Sequence, residues 1–295
     1  MPKQTWPKKI ALLSFACLIL LGGHLWYRLR LRTNNAPRPT EKISFLAVGD
    51  TGTGEEAQIK VSSSMKKVCE AALCDAVFLL GDVIYDKGVT SVSDSQFKTK
   101  FEDPYEAINV PFYVALGNHD YQGCKECYKA YGQSSTKWRF PDYYYKESFG
   151  SVVDVFVLDT EEFGQEQTDW LEKELANSTA AWKIAAGHHP IYTNSKEYKD
   201  AYPEKKALLK KAICNNFDFY LAGHSHGLEY LGEVCGVGHL VSGGGGAPLY
   251  EILPNSSPFW AESYGFVLIT ADERTLSASF YNEKEEPLYS FEKNK

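Results

Sequence analysis

Five times along this chain, an apolar run of strand length stops at a glycine and gives way to aspartate, asparagine or histidine. Residues 43–48 end in Gly49-Asp50, and residues 76–80 end in Gly81-Asp82, with Tyr85 three positions later. Residues 111–116 lead into Gly117-Asn118-His119-Asp120, residues 182–186 into Gly187-His188-His189-Pro190, and residues 217–222 into Gly223-His224-Ser225-His226. Short apolar runs bounded by glycine read as buried strands. Glycine permits the sharp turn that lets the next side chain face a shared crevice, and open α/β sheets place their sites beyond the carboxyl ends of strands. The pattern therefore predicts an α/β domain whose strand ends deliver one polar cluster.

Histidine usage sharpens the expectation. Five of the seven histidines (His119, His188, His189, His224 and His226) stand in these turns. A single histidine beside an apolar run is ordinarily a hydrogen-bonded core or surface residue. Five of them, interleaved with Asp50, Asp82 and Asn118 at matching strand ends, point to metal binding. Imidazole, carboxylate and phenolate together favour iron, zinc or manganese over calcium. Phosphate monoester hydrolysis is slow enough to need large transition-state stabilisation, and two metals about 3.5–4 Å apart can clamp such a substrate and generate hydroxide. Asp50, Asp82 and a Tyr85 phenolate would remove three charges from a trivalent–divalent pair and a bridging hydroxide one more. A small positive excess would then face an anionic phosphate.

The rest of the chain sets the frame for that cluster. Its 295 residues, 44% hydrophobic and 23% charged, suit a packed domain over residues 43–295, with 19 Tyr and 16 Phe to fill the core. A net charge of −7 argues against nucleic acid as a partner, while a local cationic site can still attract a small phosphate. Residues 10–27 form an apolar run, preceded by Lys3, Lys8 and Lys9 and followed by Arg28, Arg30 and Arg32. Residues 1–32 are read as a signal anchor of membrane-spanning length, with a cleaved signal peptide as the alternative; the balanced flanks give no orientation. Residues 33–42 read as a polar linker. Six cysteines follow the anchor, and their spacing suggests the pairs Cys69–Cys74, Cys124–Cys127 and Cys214–Cys235 in an oxidising compartment. The catalytic domain is accordingly expected to be periplasmic, extracellular or lumenal. Ala57, Val61, Met65, Val68 and Ala72 recur with helical spacing. Asn177-Ser178-Thr179 matches a glycosylation sequon, and Gly243 to Gly246 suggests close backbone approach near the site.

The motifs GDTG, GDVIY, GNHD, GHHP and GHSH resemble those of the calcineurin-like metallophosphoesterases. With the tyrosine of GDxxY present as Tyr85, the chain more narrowly resembles the small tartrate-resistant type of purple acid phosphatase. FKTKFEDPYEAINVPFYVALGNHD, WRFPDYYY and AYPEKKALLKKAICNNFDFYLAGHSHGLEYL extend the resemblance to roughly residues 43–281. It implies a four-layer β-sandwich flanked by helices. It also implies two metal ions: Fe3+ held by Asp50, Tyr85 and His226, and a divalent ion (Fe2+, Zn2+ or Mn2+) held by Asn118, His188 and His224, with Asp82 bridging. His119 would stabilise the transition state or protonate the leaving group, Asp120 would orient His119, and His189 would line the substrate mouth. The implied activity is that of an acid phosphatase acting on phosphorylated small molecules or phosphoproteins through hydroxide attack. Two departures stand out: Thr51 replaces the family's tryptophan, and Asp159-Thr160 leads almost at once into the helix bearing Trp170 and Leu171, without the long regulatory loop of the animal enzymes. The motifs also suit a phosphodiesterase or nucleotide hydrolase on the same scaffold. A non-catalytic, membrane-tethered protein with a structural metal site would predict broken ligands, and none is missing.

Overall fold

The computed structural model of the protein describes residues 42–254 and 256–295. The expected anchor at residues 1–32, and all of the expected linker except Lys42, lie outside the described residues. Among the described residues no helix is long and apolar enough to cross a membrane.

Two seven-stranded mixed sheets pack face to face. The first takes β1 (Ile43–Val48), β2 (Ala76–Leu80), β3 (Phe112–Ala115), β4 (Trp138–Arg139), β12 (Gly265–Ala271), β13 (Thr275–Asn282) and β14 (Pro287–Asn294), in the order β14-β13-β12-β1-β2-β3-β4. The second takes β5 (Tyr145–Phe149), β6 (Val153–Val157), β7 (Trp182–Gly187), β8 (Phe219–Ala222), β9 (Leu228–Val234), β10 (Val237–Ser242) and β11 (Phe259–Ala261), in the order β11-β9-β10-β8-β7-β6-β5. At the heart of each sheet lies a parallel set, β1-β2-β3 in one and β10-β8-β7-β6 in the other. Such strands are buried on both faces, which is why they read as unbroken apolar runs rather than alternating ones.

Side-chain alternation still divides the core into layers. In β8, Phe219 and Leu221 point between the sheets, joining Phe45, Phe78, Ile184, Val155 and Ile269. Their neighbours Tyr220 and Ala222 point outward, with Ala185 and Phe156, against Leu171 of α3 (Gln165–Asn177) and Leu209 and Ile213 of α4 (Pro203–Ile213). On the opposite side α1 (Glu56–Ala72) packs on β1 and β12. Val61, Met65 and Val68 are buried there as the spacing predicts, whereas Ala57 and Ala72 are only half-buried. The result is two mixed sheets flanked by helices.

Two of the expected disulfides are present. Cys124–Cys127 lies at the start of α2 (Lys125–Tyr131), and Cys214–Cys235 ties the end of α4 to the β9–β10 turn. The third expectation is corrected, because Cys69 and Cys74 remain thiols. Leu73 turns left-handed after α1 (φ 54°), and the Cys74 amide donates to the Cys69 carbonyl at 3.0 Å. That turn already ties the two residues through the backbone, without a covalent link between the thiols.

Candidate metal centre

The carboxyl ends of β1, β2, β3, β7 and β8 meet along one edge of the stacked sheets, and five turns converge there. Close approach between the sheets explains the glycine rule better than turn flexibility alone. A Cβ on Gly49 would lie 3.0 Å from the Gly223 Cα, and one on Gly223 would lie 2.7 Å from the Leu80 carbonyl oxygen. Of the five glycines only Gly81 (φ 89°) is left-handed; the left-handed backbone falls also on three of the predicted ligands themselves: Asp50 (φ 60°), Asp82 (φ 51°) and His224 (φ 63°). Non-glycine residues in that region store strain of order 1–3 kcal/mol each and cluster at functional sites.

Each carboxylate is fixed by a backbone amide at one oxygen and turns the other to the centre. Asp50 Oδ2 accepts from the His224 amide at 2.8 Å, and Asp82 Oδ1 accepts from the His119 amide at 2.9 Å. Asp50 Oδ1 and Asp82 Oδ2 are left facing the centre. There the Tyr85 hydroxyl lies 3.1 Å from both, and 3.1 Å from His226 Nε2. Asp82 Oδ2 also lies 3.4 Å from His188 Nε2, which is 3.1 Å from both Asn118 Oδ1 and His224 Nδ1. Ligand atoms of Asp82, His188 and His224 all fall within 4.8 Å of one another. His188 Nδ1 donates to the Leu80 carbonyl at 2.8 Å and His226 Nδ1 to the Pro248 carbonyl at 2.7 Å, so both Nε2 lone pairs aim inward.

Two half-shells thus share Asp82, one made by Asp50, Tyr85 and His226, the other by Asn118, His188 and His224. All seven predicted ligands come together. The atoms that meet are mostly acceptors, and the buried Asp50 and Asp82 form no ion pair with Lys or Arg among the described residues. Burial and the two carboxylates push the Tyr85 phenol far above its ordinary range. Burial by itself lowers His188, yet the Asp82 carboxylate overrides it and pushes the imidazole up to about 9. Without a cation the two carboxylates draw protons onto the imidazoles that face them, His226 as well as His188, and a metal ion would meet the same lone pairs in place of those protons.

Three predicted roles resolve differently. His119 stands at the mouth of an open cleft of about 470 Å³ beside Tyr85 and His226. Its Nδ1 meets the Asp86 carbonyl, and its Nε2 lies 3.9 Å from Asp82 Oδ2. Asp120 does not orient that ring. Its carboxylate accepts from the amides of Val83 (3.2 Å), Ile84 (3.1 Å) and Gly117 (2.9 Å) and from the Tyr128 hydroxyl (2.9 Å), pinning the Tyr85 loop to the His119 loop. His189 does not line the mouth either: it is buried behind His224, with Nδ1 2.9 Å from Thr160 Oγ1 and Nε2 3.2 Å from Lys205.

Sequence reasoning missed several contributors. Thr160 Oγ1 accepts from the amides of His188 and His189, and the Tyr250 ring stacks on His226 at 4.0 Å. Thr160 also follows a strand end, that of β6, but no glycine marks it. Tyr250 carries no motif signal.

The family model described as Calcineurin-like phosphoesterase matches residues 43–228. Tartrate-resistant acid phosphatase type 5 of Mus musculus is 32% identical over 262 residues, covering 77% of this chain and 79% of that protein. Purple acid phosphatase 4 of Arabidopsis thaliana is 29% identical over 329 aligned positions, covering 97% and 94%. Two solved structures share the fold at 22% identity: GAP50, the anchor in the inner membrane complex of Plasmodium (TM-score 0.73, covering 86% of this chain and 89% of that one), and purple acid phosphatase PPD1 from yellow lupin (TM-score 0.69, covering 87% and 54%).

Proposed function

The chain belongs to the calcineurin-like phosphoesterase family, and on that premise we propose that it is a dinuclear metallophosphatase cleaving phosphate monoesters. It is an enzyme of a hydrolytic family, with relatives over most of its length named acid phosphatases. The observation that carries the dinuclear reading is the single oxygen, Asp82 Oδ2, facing both half-shells at once.

Asp50, Tyr85 and His226 would hold one ion, Asn118, His188 and His224 the other, and Asp82 both. A ferric ion would suit the first set, because a phenolate is a hard anionic donor that a strongly charged cation stabilises best. When bound, the ions would supply Lewis acidity and an activated water nucleophile. The remaining work falls to the chain. The left-handed turns hold Asp50 and Asp82 so that neither needs to reorganise. As the water oxygen bonds to phosphorus and the ester P–O bond breaks, His119 Nε2 would stabilise the charge developing in the transition state or give a proton to the departing oxygen. Its Nδ1–H, donated to the Asp86 carbonyl, keeps Nε2 turned to the cleft.

Phosphorylated small molecules and phosphoproteins are the proposed substrates, and the two disulfides support an oxidising, extracytoplasmic location. Metal analysis with a panel of monoesters and diesters tests the reading. Two ions per chain, a purple phenolate–iron band and preference for monoesters are expected. A preference for diesters would replace the substrate class, and full activity in a colourless zinc or manganese protein would remove the ferric assignment. His119→Ala should keep both ions and lower kcat by about 100-fold or more.

A further inference from the structure

Lys100 lines the cleft with Tyr85, His119 and His226, yet among the described residues it makes no ion pair. Its ammonium donates instead to two neutral acceptors, the carbonyl of Tyr85 and Gln96 Oε1, the latter at 2.9 Å. Its own carbonyl accepts from Gln58 Nε2 at 2.7 Å, and Gln58 Oε1 accepts from the Gly54 amide at 2.7 Å. Lys100 sits within a single π-helical turn (Lys98–Glu102), closed by the Asp103 amide on the Lys98 carbonyl at 2.9 Å. Such turns recur at functional sites.

We propose that Lys100 is a positioning residue that, with Gln58, locks the loops bearing Asp50 and Tyr85 into one rigid half of the metal centre. The loops touch directly, the Tyr85 amide donating to the Gly52 carbonyl at 2.9 Å and the Gly52 amide to the Asp82 carbonyl at 3.3 Å. Gln58 and Lys100 close the other side, running from Gly54 on the Asp50 loop through α1 and the π turn to the backbone of Tyr85 itself. Tyr85 is thereby held at its amide and its carbonyl, leaving its phenol little freedom to follow or release an ion. No feature of the sequence pattern marks Lys100. A ligand's supporting contacts ordinarily change metal affinity or activity by about 10- to 100-fold.

This inference rests on the dinuclear reading above. Wild type, Lys100→Met and Lys100→Arg are loaded with ferric iron and zinc, and three quantities are read: the phenolate–iron band, the rate at which a chelator strips each ion, and kcat. Lys100→Met should shift the band and speed loss of the ion beside Tyr85 by about 10-fold or more, with the other ion less affected. Lys100→Arg, whose guanidinium also reaches a carbonyl, should restore most of both. If Lys100→Met does not fold, Lys100→Gln takes its place. Band and stripping rates within twofold of wild type, or a defect that Lys100→Arg leaves untouched, would overturn the positioning role. Wild type with two ions but no band removes only the ferric assignment, and the stripping of zinc then decides. Wild type that binds no ion overturns the dinuclear reading and this inference together.

Discussion

Replacing His239 with leucine should remove about 2 kcal/mol from the stability that the protein loses between pH 7.5 and pH 5. His239 lies on β10, 2% exposed, with its ring 4.8 Å from that of Tyr192 and 6.1 Å from that of Tyr220. Its ring nitrogens have no close hydrogen-bond partner, the backbone of Val234 offering at most a weak contact. Burial lowers its pKa from 6.5 to about 4, because a charged ring there would be stripped of water. The folded protein therefore keeps His239 neutral while the unfolded chain protonates it below pH 6.5. Stability from this residue is complete above 6.5, declines as pH falls, and is exhausted near 4. At 1.36 kcal/mol per unit the full loss is about 3 kcal/mol, of which about 2 kcal/mol has gone by pH 5. Denaturant unfolding of the metal-loaded protein at the two pH values reads this directly. Comparing how stability changes with pH in wild type and in His239→Leu cancels the groups they share, whatever the leucine does to absolute stability. Equal pH dependence in the two proteins would refute the claim that a neutral, buried His239 contributes to the acid sensitivity.

Other perturbations follow from the same geometry. Gly223→Ala places a methyl 2.8 Å from Asp50 Oδ2 and should lower kcat by about 100-fold through ligand displacement, with a stability cost of about 1–3 kcal/mol; unchanged turnover would show that the sheets can separate freely. Tyr128→Phe removes one of four donors to the buried Asp120 and should cost about 1–3 kcal/mol in denaturant unfolding, with a smaller effect on kcat. Cys214→Ser opens a crosslink spanning 21 residues and should cost about 3 kcal/mol, and an unchanged midpoint would mean that the bridge adds nothing in solution.

The parallel strands β1, β2, β3, β7 and β8 were legible because burial on both faces leaves apolar runs that stop at a glycine, whereas the parallel β6, with Asp154 in its midst and no glycine at its end, was not read. β1 and β2 match the reading to the residue, while β8 begins at Phe219 rather than 217, the Asp218 amide and carboxylate being engaged with the backbone of Lys183. The antiparallel strands β12 to β14 gave a weaker signal. In β13 the buried Leu276, Ala278 and Phe280 alternate with Thr275, Ser277 and Ser279, polar but too small to mark a face. All seven proposed ligands were legible as residue types in the turns that follow strands. Asp120 and His189 were misassigned because each adjoins a residue that faces the centre, and neighbouring side chains on extended or turning backbone point to different sides. His188 and His189 lie almost perpendicular, one inward and one behind His224. The supporting contacts of Thr160, Tyr250 and Lys100 depend on which loops meet in space, which spacing along the chain does not encode.

The most direct test is an anomalous-scattering map of crystals grown from metal-loaded protein, beside the same map for Asp82→Asn. Two peaks about 3.5–4 Å apart are expected, one on each side of Asp82, with at least one lost or weakened in the variant. A single peak, or two that leave Asp82 between neither, would contradict the shared-carboxylate centre.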